Sequence, residues 1–256
     1  MATKRFDQFR GRLAPAEVAA GINAARRNAG RLAQDARLLL TQGRFPSACA
    51  LSVLAIEEAG KASVLREVAL ARNDDELKNA WREYRSHTSK NRMWPIVDFV
   101  MKGARKLQEF APLFHDGADH PHLLDQVKQL SFYTDCLGKA HWSTPEDVID
   151  QALASMLVVT SELLGKGEDV SEREIELWVA HLSPVWRHTS EAMEKGLSDW
   201  YSAMQAEGLK LPGDNSMRKF ILEGVTMSGE QGAPPNGGPA RRLDNSEVAE
   251  GPPSVS

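Results

Sequence analysis

The stretch PSACALSVLAIEEAGKASVLREVALAR, residues 46–72, decides the fold. Ala48, Leu51, Leu54 or Ala55, Ala59, Ala62, Leu65 and Val68 or Ala69 recur at steps of three and four, placing them on one face of an α-helix from about Pro46 to Arg72. Upstream, Pro15 suits the first turn of another helix. In it Val18, Ile22, Ala25, Ala29, Leu32, Ala36 and Leu39 form a second apolar stripe, which Gly43 ends. The many alanines let two such helices approach closely, so the pair is expected to lie antiparallel.

Helical signals continue outward from this pair. Asn73 followed by Glu76 makes a capping box for a third helix through Trp81 to about Ser86. Pro95 opens another, with Ile96, Phe99, Val100, Leu107 and Phe110 as its apolar positions. Two prolines and a glycine between Ala111 and His122 read as a loop, and a helix follows from about Leu123 to Leu137. Thr144-Pro145-Glu146-Asp147 is a helix start that continues to about Leu164. Ser171 and Glu174 cap a further helix, which Pro184 interrupts and which resumes to about Ala206. Few segments alternate with period two, so the expected class is all-α. Residues 208–223, with Phe220, Ile221 and Leu222, are expected to dock on the core. From Gly224 the chain is rich in Gly, Pro and Ser and is expected to be disordered. The resulting division is a basic extension at 1–13, a helical bundle at 14–166, a C-terminal helical extension at 167–223 and a tail at 224–256.

Composition excludes several classes of function. Of 256 residues, 42% are hydrophobic and 26% charged, which suits a folded soluble chain. No apolar run approaches the ~18 residues of a membrane span, and the charged N-terminus lacks the core of a signal peptide. Cys49 and Cys136 lie in apolar helical patterns without metal-ligand spacing, which fits a cytoplasmic protein with reduced thiols. Serine-nucleophile, Walker A and dinucleotide-binding glycine patterns are absent from the sequence. The net charge of −4 gives no overall attraction to nucleic acid, but the charge is unevenly distributed. Residues 1–106 carry 20 Lys and Arg against 11 Asp and Glu, whereas the remainder carries 11 against 24. A local basic surface can hold a phosphate chain without the whole molecule being basic; solvated helix faces pairing with the acidic half are the alternative.

Three groups of residues have the chemistry for a site. Glu57, Glu58 and Lys61 share the second helix. The Glu57/Lys61 pair has favourable i, i+4 spacing, worth only ~0.3–0.5 kcal/mol on a surface. It reads as an ion pair bracing neighbouring helices or as support that positions the basic segment. No Glu-x-x-His element of a di-iron site is present. The second group is WREYRSHTSKN, residues 81–91, where one imidazole lies among guanidiniums and an ammonium. A histidine there can take the proton of a ribose 2′-hydroxyl, and an arginine can stabilise charge on the phosphorane oxygens. Arg82 and His87 lie about 140° apart on a continuous helix, so the helix must end or bend near Ser86 for them to converge. An exposed histidine at a basic helix end is the alternative. The third group, His115, Asp116, Asp119, His120 and His122, has zinc-compatible side chains but a spacing that matches no zinc site. No metal or cofactor is expected.

ALSVLAIEEAGKASVL (50–65), WREYRSHTSKN (81–91) and QLSFYTDCLGKAHWSTPED (129–147), taken in this order, resemble the AbiV family of abortive-infection proteins within the HEPN superfamily. The resemblance covers roughly residues 20–165, and Arg82-x4-His87 matches the superfamily's Arg-x4–6-His motif. It implies a HEPN-like helical bundle that dimerises so that two motifs face one cleft. It also implies metal-independent endoribonuclease activity, which many but not all HEPN proteins have, and a role in stopping phage propagation. By this resemblance His87 is the base and Arg82 the transition-state stabiliser. Tyr84, Arg85, Lys90 and Arg92 are RNA-contacting neighbours, and Glu57, Glu58 and Lys61 position the segment. One departure is Glu83, where active members usually carry Asn, Asp or His. The expected partners are RNA, a second copy of the chain and a phage-encoded activator protein, with no membrane. Besides the ribonuclease, two readings stay open: a non-catalytic dimer that binds RNA or a phage protein and blocks by occupancy, and an antitoxin-like scaffold.

Overall fold

A computed structural model describes residues 7–115 and 117–224. The tail expected from Gly224, apart from Gly224 itself, and Asp116 of the histidine-rich loop lie outside the described residues. The helices are α1 (Pro15–Thr41), α2 (Phe45–Leu70), α3 (Asp74–Arg85), α4 (His87–Lys90), α5 (Ile96–Met101) and α6 (His120–Phe132). A hairpin of β1 (Asp135–Leu137) and β2 (His141–Ser143) follows. Then come α7 (Pro145–Val148), α8 (Gln151–Gly165), α9 (Glu172–Leu182), α10 (Ser190–Ala206) and α11 (Ser216–Leu222). The described residues are all-α apart from that hairpin.

The α1–α2 pair forms where its alanines predict it. Pro15 starts α1, and the Glu17 carboxylate accepts the Ala14 N–H at 2.7 Å. Val18, Ile22, Ala25, Ala29, Leu32 and Ala36 are all buried. Gly43 turns the chain at a φ of 69°, a conformation that costs a residue with a Cβ. The one-face reading of α2 is too narrow. Ala48, Cys49, Ala50, Val53, Ile56, Glu57, Val64 and Leu65 point in several directions and are all buried, so α2 is the central helix of the bundle. α1 and α8 cover one side, where Ala36, Ala48 and Val158 meet; α6 covers another, where Cys49, Val53 and Ile56 meet Leu124, with Leu157 of α8 joining the same cluster.

Several expected boundaries are corrected. The helix expected from Pro95 stops at Met101, because Gly103 (φ 100°) reverses the chain. Leu107–Phe114, the latter part of which reads as loop in the sequence, forms a 3-10 helix around Pro112. α6 ends at Phe132 rather than near Leu137, and Cys136 pairs with Trp142 in the hairpin. Its inter-strand turn contains Gly138 and Ala140 at positive φ. The helix expected from Thr144 to Leu164 breaks at Ile149, whose side chain is buried in extended conformation. Asp150 then caps α8 by accepting the Leu153 N–H at 2.8 Å.

The C-terminal helices share the bundle's core. Val170 and Ile175 pack with Val18, Ile22 and Leu65, while Leu177, Leu182, Trp200 and Met204 close over Leu70 at the end of α2. Asn23 of α1 grips the connection with both amide groups, donating to the Val170 carbonyl at 2.9 Å and accepting its N–H at 2.8 Å. Ser171 caps α9 as expected, and Ile221 of α11 is buried. Among the described residues no helix is long and apolar enough to cross a membrane.

Candidate functional site

Local sequence builds the site at a helix break. Asn73 caps α3 by accepting the Glu76 N–H at 3.0 Å. The Glu76 carboxylate reaches back to Arg72, accepting from its backbone N–H at 2.9 Å and its guanidinium at 2.6 Å. These bonds hold Glu76 at a pKa of about 2, with the Arg72 side chain as the main cause. At the other end Ser86 takes extended angles (φ −75°, ψ 134°) and caps two helices at once. Its N–H closes α3 on the Arg82 carbonyl at 3.0 Å, and its hydroxyl accepts the Ser89 N–H at 3.3 Å to open α4. The break demanded by the Arg82-x4-His87 spacing is present.

The break turns His87 back onto α2. Its Nδ1 lies 2.7 Å from Oε2 of Glu57, a residue only 4% exposed. The other oxygen, Oε1, accepts from Lys128 Nζ at 2.7 Å, and Lys128 also forms an ion pair with Asp125 at 2.7 Å. Burial works to lower the Lys128 pKa, but bonds to Asp125 and Glu57 outweigh it and hold the ammonium above its usual value. An ionised carboxylate only accepts, so Nδ1 of a neutral His87 ring donates and Nε2 keeps the lone pair. The ring's side chain is 61% exposed, so a base is fixed from behind and open in front.

Glu58 and Lys61 take a different role from the one their spacing suggests. Lys61 pairs with Glu58 at 2.5 Å, not with Glu57, and its ammonium lies over the Tyr84 ring at 5.4 Å. Tyr84 stands edge-on to Trp81. This chain of contacts ties α3 to α2 near the break.

The motif arginine occupies a separate surface. Arg82 is exposed, and no hydrogen bond or ion pair joins it to His87 or to Glu83 among the described residues. It lines a groove of about 700 Å³ with Arg10, Arg12, Lys78, Trp81 and Arg85. One wall is the N-terminal segment, strapped across α3: Trp81 Nε1 donates to the Gly11 carbonyl at 2.9 Å and Arg12 to the Ala71 carbonyl at 2.7 Å. Arg85 donates to the carbonyls of Phe9 at 2.6 Å and Trp81 at 2.9 Å, and its guanidinium stacks over the Trp81 ring. Lys90 is buried, 7% exposed, rather than facing solvent. Arg92 lines a smaller cleft with Thr88, Ser89, His115 and His122. His120 is a structural tie, its Nε2 bonded to the Arg92 carbonyl at 2.9 Å. No three His, Cys, Asp or Glu side chains converge as a metal site among the described residues.

Sequence reading missed Lys128, Arg10, Arg12 and Lys78. Lys128 had a legible signal: it follows Leu124 by four residues on the buried stripe of α6, so its charge needed a partner inside. The N-terminal arginines had none, because only the tertiary strap brings them to α3.

The described residues thus form an α-helical bundle in which an Arg-x4-His motif is split across a helix break and its histidine is backed by a buried glutamate. The family model for AbiV matches residues 17–166, and the chain belongs to this family of HEPN-domain abortive-infection proteins. Neither the curated proteins nor the solved structures contain a match to the chain.

Proposed function

We propose that this protein is a metal-independent endoribonuclease that arrests growth or translation in the phage-infected cell, acting in the cytoplasm as a homodimer. The observation that carries the reading is His87, held through Nδ1 by the buried Glu57–Lys128 pair and open at Nε2. In this mechanism Nε2 takes the 2′-hydroxyl proton, and the alkoxide attacks the adjacent phosphorus. The P–O5′ bond breaks, and the departing 5′-oxygen takes a proton from the His87 imidazolium or from water, leaving a 2′,3′-cyclic phosphate and a 5′-hydroxyl. Glu57 offsets the positive charge that the ring gains, and Lys128 holds Glu57 in place. Arg82 stabilises the phosphorane oxygens. Because Arg82 and His87 do not meet within one chain, the site closes when a second copy brings its own motif to the same cleft. RNA lies along the groove of Arg10, Arg12, Lys78, Arg82 and Arg85, with Tyr84 and Arg92 as contacts outside it. Lys90 adds its positive field from inside the bundle. A phage-encoded protein as activator fits a defence toxin that must stay silent before infection.

The test is cleavage of RNA by the purified full-length protein in excess EDTA. His87→Ala is expected to lower the rate by roughly 10²–10⁴-fold and Arg82→Ala by about 10²–10³-fold. Equal cleavage by wild type and His87→Ala would remove His87 from the mechanism.

A second reading, a non-catalytic dimer that blocks by occupying RNA or a phage protein, is favoured by Glu83 beside Arg82 and by the absence of an Arg82–His87 contact. Growth arrest on induction separates the two. The occupancy reading predicts full arrest by His87→Ala and loss of arrest on charge reversal at Arg82.

A further inference from the structure

Behind α4 is a cavity of about 210 Å³ that the proposed cleavage does not use. Four cationic side chains from different parts of the fold line it: Arg26 of α1, Arg66 of α2, Lys90 of α4 and Lys166 after α8. Ser63 contributes a hydroxyl, and no carboxylate is among the lining residues.

The two innermost cations lack a full set of partners. Lys90 is 7% exposed, and no hydrogen bond or ion pair to its ammonium is found among the described residues. The nearest carboxylates are already engaged, Glu57 with His87 and Lys128, and Glu58 with Lys61. Burial accordingly depresses the Lys90 pKa. Arg66 spends one nitrogen on Glu174 at 3.3 Å, while its Nε is buried with no partner. Burial lowers the Arg66 pKa first, and the nearby Arg26 adds to the effect. A native fold rarely leaves a buried guanidinium nitrogen unpaired, because it carries a desolvation cost that only an acceptor offsets. Arginine's forked donors with a neighbouring ammonium suit the oxygens of a phosphoryl group. The volume admits one such group with little attached to it, and not an RNA chain.

We propose that this cavity is a binding site for a phosphate dianion, either the free ion or the terminal phosphate of a mononucleotide. Occupancy bears on α4 directly. The Lys90 carbonyl abuts Gly60 so closely that a Cβ on Gly60 would stand 2.2 Å from it. His87 and Lys90 share this one-turn helix, so an anion that holds Lys90 also fixes the platform of His87.

The full-length protein, in buffer free of phosphate and sulfate, tests the site by calorimetric titration and thermal melting. The probes are inorganic phosphate and adenosine 5′-monophosphate, with chloride at matched ionic strength as control. Wild type is expected to bind at least one probe saturably at one site and to melt higher with it than with chloride. Lys166→Ala, at the exposed mouth, is expected to weaken binding about tenfold, the loss of one charge-assisted bond. Lys90→Met is expected to melt at or above wild type without the anion and to lose the anion-induced rise. Tighter binding of adenosine 5′-monophosphate assigns the nucleotide end, and tighter binding of inorganic phosphate assigns the free ion. The site is refuted if neither probe exceeds chloride, or if both variants bind as wild type does. The readout is binding, so it stands or falls separately from ribonuclease activity.

Discussion

At the scale of single residues, Glu57 decides most. It is an acid buried on the central helix, and both of its oxygens are engaged, one by Lys128 and the other by His87. Such a pair adds little net stability over an apolar substitute, but removing one member leaves the other charge stranded. Glu57→Ala is therefore expected to destabilise the fold by about 3–5 kcal/mol in urea melts. Glu57→Gln keeps the shape and an acceptor, and is expected to cost less while still slowing any His87-dependent cleavage. A Glu57→Ala protein as stable as wild type would show that Asp125, already paired with Lys128 at 2.7 Å, holds the ammonium alone. The cysteines make a second residue-scale contrast. Cys49 is buried, and burial raises its thiol pKa, whereas Cys136 is exposed on the hairpin. Iodoacetamide on the native protein is expected to label Cys136 alone, as read by peptide mass; modification of Cys49 at a similar rate would mean that α2 and α6 open readily.

At the scale of elements, the contact between α2 and α4 sets where His87 stands. Glycine inside a helix is ordinarily about 1 kcal/mol worse than alanine, so Gly60→Ala is expected to stabilise on propensity alone. Packing reverses the sign here, since the added methyl meets the Lys90 carbonyl. The expected outcome is destabilisation of about 1–3 kcal/mol, the usual range for overpacking, with cleavage reduced as α4 is pushed aside. A higher melting temperature for Gly60→Ala would overturn this account of the contact. Much of this element-level design is legible in the chain. The α1 stripe, the Asn73 and Ser171 caps and the break at Ser86 all follow from local rules that act within a turn or two. What escaped is equally physical. The three-residue strands of the hairpin are too short to show a period, and Ile149 leaves its helix because burial in the core outweighs helix propensity.

At the scale of the whole molecule, the open question is how a motif divided between two surfaces becomes one site. Arg82 faces the groove under the N-terminal strap, while His87 leans on α2. In the proposed mechanism a composite cleft between two copies joins the two halves. Light scattering at micromolar concentration is expected to give the mass of a dimer, and mixing inactive Arg82→Ala and His87→Ala chains is expected to restore part of the cleavage. A strict monomer that still cleaves RNA would rule out the composite site. The C-terminal helices belong to the same molecule-wide argument: Leu70 and Val170 join them to the bundle core, beyond the residues that the AbiV family shares.

The sequence by itself determined the helical class, the antiparallel α1–α2 pair, most caps and the spacing of Arg82 and His87, because each depends on residues within a short stretch of chain. Only the tertiary structure decided which oxygen of which glutamate holds His87, that Lys61 serves Glu58 instead, and that Lys90 lies inside rather than out. It also decided that Arg10 and Arg12 border the Arg82 groove. Those outcomes depend on residues tens of positions apart meeting across helix faces, where burial and charge pairing choose among partners that local spacing leaves equivalent.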